Sequence, residues 1–218
     1  MRIEAIFMLG LVFISPVIMS FNLCQASDSF TVTGVIDGET LRLFDGEKVR
    51  LIGIDVPSSS QNVKLHEDIK NTGKDALTLM TVGKNAGQFL RELIGNETVV
   101  LEYDAVEKEK SGRRWVYVYF YLDPRLNMKI PEEWYVELSP GTGERQLRVF
   151  LNATMIRAGY AQMRIIPPNV KYQELFSKLQ KEAKEQKRGL WGPSASSADP
   201  AMKGKTSKPR QISEVKRQ

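Results

Sequence analysis

Two similar turns separate three short apolar segments near the start of the chain, and this pattern constrains the fold more than any other feature. Asp37-Gly38-Glu39 and Asp45-Gly46-Glu47 each follow a stretch rich in apolar residues. Asp-Gly between apolar segments is typical of a β-hairpin, because both residues tolerate positive φ. The sequence therefore predicts three consecutive antiparallel strands, at 30–36, 39–44 and 48–54.

The rest of the folded region alternates between patterned and unpatterned segments. The predicted elements are strands at 97–103 and 114–121, helices at 82–94 and 147–157, and a helix from 172 that ends at Gly189. Segments 58–81 and 122–146 show no regular period and are predicted to be irregular loops. The pattern indicates an α+β fold, a five-stranded OB-fold-like β-barrel with three α-helices, of a type that often binds oligonucleotides.

The two ends of the chain differ from its middle in composition. Residues 1–26 contain an apolar run after Arg2 and end in Cys24-Gln25-Ala26, which is typical of a signal peptide. The run is also long enough to act as an uncleaved N-terminal membrane anchor. Residues 192–218 are rich in Ser, Pro and Lys and are predicted to be a disordered tail. The folded domain is thus predicted to span residues 27–191.

The positive charge of the protein lies mostly in its C-terminal tail. Residues 192–218 hold six Lys or Arg and two acidic residues, so they carry +4 of the formal net charge of +5. The charge balance therefore says little about the folded domain, although a basic chain often binds nucleic acid. Cys24 is the only cysteine, which excludes a disulfide framework and, after signal cleavage, any cysteine-based metal site.

A charged group is predicted where the second and third strands lie side by side. Arg50 stands among the apolar residues of the third strand, where an unpaired guanidinium would be very unfavourable. It needs an anion, either a ligand phosphate, which suits its planar fork, or a carboxylate of the protein. Glu39 and Asp55 both lie at the strand ends far from the connecting turn, so they can converge. Two carboxylates and a backbone carbonyl suit Ca²⁺ or Mg²⁺.

A second basic group precedes the strand at 114–121. Lys110 and Arg113 flank Ser111-Gly112 in this segment. It can either face the same cleft as Arg50, with Lys110 binding substrate, or form a solvated basic turn.

Six motifs occur in a fixed order between Phe30 and Trp191, and together they resemble those of the staphylococcal nuclease family. They are Val35-Ile36-Asp37-Gly38-Glu39-Thr40, Val49-Arg50-Leu51-Ile52-Gly53-Ile54-Asp55-Val56-Pro57, Gly83-Lys84-Asn85-Ala86, Gly112-Arg113 before Val116-Tyr117-Val118-Tyr119, Asn152 with Arg157-Ala158-Gly159-Tyr160-Ala161, and Arg188-Gly189-Leu190-Trp191. The resemblance implies a five-stranded barrel with three helices. It also implies Ca²⁺-dependent hydrolysis of DNA and RNA phosphodiesters.

The resemblance assigns roles to individual residues. Arg50 and Arg113 match the two arginines that hold the scissile phosphate in the family. Asp55 matches a Ca²⁺ ligand, and Val56 matches the residue whose carbonyl binds the metal. Glu39 stands where the family places an aspartate ligand, and its extra methylene would shift the ion.

Two departures from the family pattern concern catalysis and substrate binding. Ser58 stands where the family carries the glutamate that acts as general base. Loss of a positioned base costs about 10²–10⁴-fold in rate. Glu67, in the segment 58–81, is a candidate for its replacement. Ile165, Ile166 and Pro167 occupy positions where family members often place tyrosines, so base stacking is expected to be weak or absent.

These observations predict an exported, metal-dependent nuclease that is periplasmic or secreted and acts on DNA or RNA. It is expected to be a monomer, with no stable membrane partner once the signal is cleaved. Two alternatives stay open. One is an inactive nuclease-like module that binds nucleic acid. The other is a cell-envelope adaptor barrel in which Arg50 is bridged internally to Glu39 or Asp55 and no open cleft exists.

Overall fold

The structure is a computed structural model that describes residues 29–123, 129–139 and 146–193. The predicted signal peptide or anchor at 1–26 lies outside these ranges, as does nearly all of the predicted tail at 192–218. Within the described ranges, no helix is both long enough and apolar enough to cross a bilayer.

A closed five-stranded barrel forms the centre of the protein, as predicted. The strands in the described ranges are β1 (Ser29–Val35), β2 (Thr40–Leu43), β3 (Lys48–Leu51), β4 (Gly53–Asp55), β5 (Thr98–Glu102), β6 (Arg114–Tyr121), β7 (Val136–Leu138), β8 (Leu147–Phe150) and β9 (Gln162–Arg164). Neighbours in the order β3-β2-β1-β5-β6 pair antiparallel. Parallel pairing of β3 with β6 closes the ring. β8 and β7 extend the sheet beyond β6, and β4 pairs separately with β9.

Among the described residues, four α-helices surround the barrel, whereas the sequence predicts three. They are α1 (Val63–Thr72), α2 (Ala76–Ile94), α3 (Leu151–Arg157) and α4 (Gln173–Glu185), and a 3₁₀ turn follows at Gly189–Trp191. The prediction of a loop over 58–81 is wrong, because α1 and the first turn of α2 lie within it. Side-chain caps start both helices: Asn62 accepts from the Leu65 N–H, and Asp75 accepts from the Thr78 N–H.

The sequence conceals α1 because this helix buries very little of its surface. Leu65 and Asp68 are its only buried residues, and one of them is charged. An apolar stripe with a period of 3.6 residues is the main sequence signal for a helix, and in α1 this stripe is reduced to Leu65 and the partly buried Ile69. The cap residues are a weaker signal that could have indicated its start.

The C-terminal part of the domain also differs from prediction at two places. The predicted helix at 147–157 begins as strand β8, which pairs with β6 and β7, and becomes helical only at Leu151. The predicted loop at 122–146 contains strand β7. In both cases the pairing partner is distant in sequence, so local periodicity does not reveal the strand.

Gly53 allows the bend between β3 and β4 to pack against α4. Its φ is +77°, and a Cβ atom at this position would lie 2.3 Å from Cε2 of Phe176. We expect Gly53→Ala to lower the free energy of unfolding by about 3 kcal/mol or more, from steric overlap and backbone strain together. Gly46→Ala is the matched control, because Gly46 has φ +86° with nothing within 4 Å. Urea unfolding of both variants separates the two terms, and equal losses would contradict the packing argument.

Candidate active site

An open cavity of about 450 Å³ lies where β2, β3, β4, β9 and α1 meet. Its wall is strongly charged. The charged residues that line it are Glu39, Arg50, Asp55, Lys64, Glu67, Asp68 and Arg164. Because the wall mixes carboxylates with cationic groups, the chemistry of the cavity depends on which of them neutralise one another.

Glu39 is held in place by the turn that precedes β2. Its backbone carbonyl accepts a hydrogen bond from Leu51 N on β3, at 2.9 Å. Gly38 lies outside the left-handed region, and its role is close packing: a Cβ there would lie 2.5 Å from Cγ1 of Val56. Of the two similar turns, only the second has its glycine at positive φ, at Gly46. The first turn thus packs closely against Val56, directly after β4, and places Glu39 beside it.

Glu39 and Arg50 form an ion pair at the floor of the cavity. Antiparallel pairing sets Thr40 opposite Arg50, so the side chain of Glu39 reaches the guanidinium, with Oε1 at 2.8 Å from Nη2. Oε2 accepts from the Val56 N–H at 3.1 Å. Burial raises the pKa of Glu39 to about 7, although the positive charge of Arg50 opposes this rise. The adaptor alternative predicts this ion pair, but it also predicts that no open cleft exists. The open cavity therefore disagrees with it.

Asp55 lies at the end of β4 and is surrounded by donors. Its Oδ2 accepts from Gln162 Nε2 at 3.2 Å, across the β4–β9 pair. Its Oδ1 lies 3.3 Å from Arg164 Nη1 and 3.3 Å from Lys64 Nζ. The structure therefore brings Glu39, Arg50 and Asp55 together, as the sequence predicts, and adds cationic groups that the prediction missed.

Lys64 enters the site from α1, the helix that the sequence analysis treats as a loop. Its Nζ donates to the Val56 carbonyl at 2.8 Å and to Asp68 Oδ1 at 2.9 Å. Asp68, which is itself buried, accepts from the Ser58 N–H through Oδ2 at 2.8 Å. Lys64 and Asp68 stand one helical turn apart, a spacing that could have suggested the pair once a helix was recognised.

The residues expected to bind Ca²⁺ do not fit the ion as they stand. Both carboxylate oxygens of Glu39 already have partners, Arg50 and the Val56 N–H. Lys64 Nζ contacts both Asp55 and the Val56 carbonyl. A protein ammonium group thus stands among the oxygens predicted to hold the metal. In the part of the chain that the structure describes, no group of three or more His, Cys, Asp or Glu could hold a metal ion.

Arg113 and Lys110 lie beside the cavity rather than in its wall. Arg113 forms an ion pair with Glu109, and its Nη1 lies 3.5 Å from the Thr40 hydroxyl. The bond to Glu109 raises the pKa of Arg113, and the negative charge of Glu39 acts in the same direction. Arg113 is therefore close to the start of β2. Lys110 is exposed in the tight turn before Gly112, and no contact joins it to the cavity wall.

Ser58 and Glu67 differ sharply in their surroundings. Ser58 is buried, and its hydroxyl donates to the Ser60 carbonyl at 2.9 Å. Glu67 is exposed on α1 and lines the cavity. Among the described residues, none donates a hydrogen bond to its carboxylate. His66, its neighbour, points elsewhere, with Nδ1 at 3.1 Å from the Asn62 carbonyl.

An aromatic side chain for which the sequence gives no functional signal lies next to Arg50. The parallel pairing of β3 with β6 sets Arg50 opposite Trp115. A narrow groove beside the cavity contains Trp115, Arg164 and Ile166. The indole Nε1 of Trp115 is buried and has no partner among the described residues.

The closed barrel and the charged cavity at its strand ends define an OB-like domain with Arg50 in the wall of an open cavity. Comparison with known proteins identifies the family. The family model described as "Staphylococcal nuclease homologue" matches residues 48–193. The chain belongs to the staphylococcal nuclease family.

Curated relatives support this assignment over most of the chain. The chain is 31% identical to a thermonuclease of Staphylococcus intermedius over 167 residues, which are 75% of this chain and 76% of the relative. It is 28% identical to a thermonuclease of Staphylococcus hyicus over 176 residues, covering 79% and 81% of the two chains. An uncharacterized protein of Methanocaldococcus jannaschii is 27% identical over 168 residues, with 73% and 70% covered.

Proposed function

We propose that the protein is a nuclease that hydrolyses phosphodiester bonds of DNA or RNA. The observation that carries the proposal is the position of Arg50, whose guanidinium lies at an open cavity in a chain of this family. The ion pair with Glu39 uses Nη2. The remaining N–H groups of the guanidinium have no partner among the described residues and are available to a phosphate. A planar fork suits two phosphate oxygens at once.

In this proposal Arg50 and Arg113 both bind the scissile phosphate, each from a different side chain position. Arg50 binds the scissile phosphate in the cavity and neutralises the charge that develops on its oxygens. Arg113, near Thr40 at the same strand ends, reaches the phosphate once it exchanges its bond to Glu109 for one to the substrate. Lys110, on the exposed turn, adds a solvated positive charge that attracts the nucleic-acid backbone.

Glu67 acts as the general base in this proposal. Its carboxylate is exposed to the cavity, whereas Ser58 is buried and has no basic group. Glu67 takes a proton from water, the hydroxide attacks phosphorus, the phosphorus–oxygen bond to the leaving nucleoside breaks, and solvent protonates the leaving oxygen. Calcium dependence stays a prediction of the resemblance, and the oxygens that would bind the ion are those that Lys64 contacts.

We expect Glu67→Gln to lower kcat by about 10²- to 10³-fold with little change in KM, because the amide cannot accept the proton from water. His66→Gln, at the adjacent position of the same helix, is the control and should keep full activity. The measurement is steady-state cleavage of a fluorescent oligonucleotide. If Glu67→Gln keeps normal kcat, another group is the base.

The experiment that tests the function is incubation of the purified protein with plasmid DNA, single-stranded DNA and RNA. Parallel reactions contain Ca²⁺, Mg²⁺ or a chelator. Cleavage of at least one substrate in at least one condition is expected. An absence of cleavage in every condition contradicts the proposal.

The second candidate function is a nucleic-acid-binding module without catalysis. It is favoured by Ser58, which replaces the glutamate expected from the family pattern. It predicts binding of oligonucleotides that weakens as salt rises, with no cleavage under any condition. Fluorescence anisotropy at several salt concentrations, next to the cleavage assay, distinguishes the two functions.

We also propose that the protein is exported, because residues 1–26 carry the pattern of a signal peptide. Cleavage after Ala26 gives a mature protein that begins at Ser27. Mass spectrometry of the protein purified from its native host tests this, and an intact N-terminus would indicate a membrane anchor instead.

A further inference from the structure

Three buried carboxylates converge below the cavity, and they need positive charge. Glu39, Asp55 and Asp68 are all buried. Charged groups removed from water are tolerated only when counter-charges and hydrogen bonds compensate them. Arg50 compensates Glu39, and Arg164, whose side chain is largely exposed, contacts Asp55 at 3.3 Å. Asp68 still needs a cation, and Asp55 is only partly compensated by the exposed Arg164.

Lys64 provides this cation through a single atom. Its Nζ lies 2.8 Å from the Val56 carbonyl, 2.9 Å from Asp68 Oδ1 and 3.3 Å from Asp55 Oδ1. Its hydrogen bonds go to the Val56 carbonyl and to both carboxylate oxygens of Asp68, and Asp55 is an ion-pair partner. These acceptors use the three N–H donors of the ammonium group. The side chain reaches this position from α1 and is itself only 31% exposed. The oxygens of Val56, Asp55 and Asp68 therefore form a cation site, and the ammonium group of Lys64 occupies it.

A divalent ion cannot share these oxygens with Lys64. Calcium binds oxygen at about 2.3–2.6 Å. An ion bound to the Val56 carbonyl or to Asp55 Oδ1 would share an oxygen with Nζ, so the two cations would lie no more than about 6 Å apart. Repulsion at that distance in a partly buried site is strong. Binding of the metal thus requires that Lys64 leave its three acceptors.

We propose that Lys64 takes the place of a divalent metal ion in this protein, so that the site binds phosphodiesters without one. The inference deepens the proposed nuclease function and rests on it for its consequence in catalysis. Lys64 is a positioning residue: it neutralises Asp55 and Asp68 and leaves Arg50 free to bind the phosphate. The protein therefore works at full rate in a chelator, and removal of Lys64 creates a calcium site from the same oxygens.

Calorimetry with CaCl₂ tests this on the full chain after treatment with a chelator and desalting. The wild-type protein is expected to show no binding up to several millimolar Ca²⁺. Lys64→Met is expected to bind Ca²⁺ with a dissociation constant of about 10⁻⁴–10⁻³ M, at least tenfold more tightly than the wild type. Adding Asp55→Asn to Lys64→Met should abolish this binding. Lys181→Met, which removes an exposed lysine of α4, is the control and should behave as the wild type.

The outcomes separate the two proposals. Calcium binding by the wild type at submillimolar concentration overturns the role of Lys64, and so does failure of Lys64→Met to bind. If Lys64→Met does not fold, the wild-type titration still decides. Cleavage of DNA at equal rates in Ca²⁺ and in chelator supports the inference, whereas cleavage only with Ca²⁺ overturns it. If no cleavage occurs at all, the nuclease function fails, and the calorimetry still judges whether Lys64 holds the cation position.

Discussion

We expect Arg50→Ala to lower kcat/KM for nucleic-acid cleavage by about 10³- to 10⁵-fold, the range seen when an arginine that stabilises phosphoryl transfer is removed. The reason is that the Arg50 guanidinium lies in the wall of the cavity beside Glu39 and has N–H groups free of described protein partners. Arg50→Lys should recover only part of the loss, because an ammonium group cannot bind two phosphate oxygens in one plane. Arg42→Ala, an exposed arginine of β2, is the control and should cleave normally.

The same variant tests whether the Arg50–Glu39 pair is structural. Removing Arg50 leaves Glu39 buried, but its pKa of about 7 already allows the carboxyl group to become neutral. We therefore expect a folded protein, which thermal unfolding followed by circular dichroism can check. A folded Arg50→Ala variant with wild-type activity would contradict the assignment. A variant that is unfolded at 25 °C would indicate that the adaptor alternative describes Arg50 better.

The largest expected loss of stability follows from Asn152→Ala. Asn152 is fully buried at the start of α3. Its Nδ2 donates to the Ile52 carbonyl at 2.9 Å and to the Val116 carbonyl at 3.2 Å, and its Oδ1 accepts from the Val118 N–H at 3.0 Å. One side chain thus bridges the end of β3 and the middle of β6. Alanine leaves these backbone groups buried without partners, which costs about 1–3 kcal/mol for each group.

We expect a total loss of about 4 kcal/mol in the free energy of unfolding, measured by urea denaturation. Asn169→Ala is the matched control. Asn169 is also buried, and it exchanges two hydrogen bonds with the backbone of Val106 alone. Because it joins two peripheral loops rather than two barrel strands, its loss should be about half as large. Equal losses would contradict the idea that the hydrogen bonds of Asn152 between two barrel strands matter more than those of Asn169.

The first three strands of the barrel and the floor of the cavity could be predicted from the sequence because their signals are local. Alternating strands around Asp-Gly turns determine the pairing of β1, β2 and β3. Once that pairing is known, Glu39 and Arg50 must be neighbours. The position of Asp55 follows from its predicted place at the end of the same strand as Arg50, although the structure divides that strand into β3 and β4. No distant part of the chain is needed for these steps.

Lys64, Asp68 and Arg164 could not be predicted in the same way. Lys64 and Asp68 belong to α1, whose surface is mostly polar. The sequence therefore gives only a weak apolar pattern for this helix. Arg164 reaches Asp55 only because β9 pairs with β4, and that contact spans more than a hundred residues. Arg113 was expected in the cavity, but its bond to Glu109, four residues earlier, holds it at the rim. An ion pair within the turn, between Arg113 and Glu109, competes with a contact between Arg113 and the cavity. The sequence alone does not show which of the two contacts forms.

The parallel pairing of β3 with β6 has a consequence for the order in which the molecule assembles. Residues 49 and 114 are register partners, so the ring closes only after some sixty intervening residues have emerged and folded around it. Until then β3 is an open edge, with unpaired backbone groups on one side. Closure of so long a loop is slow compared with hairpin formation. A chain that ends before β6 therefore contains Glu39, Arg50 and Asp55 but lacks the strand that closes the barrel beside them.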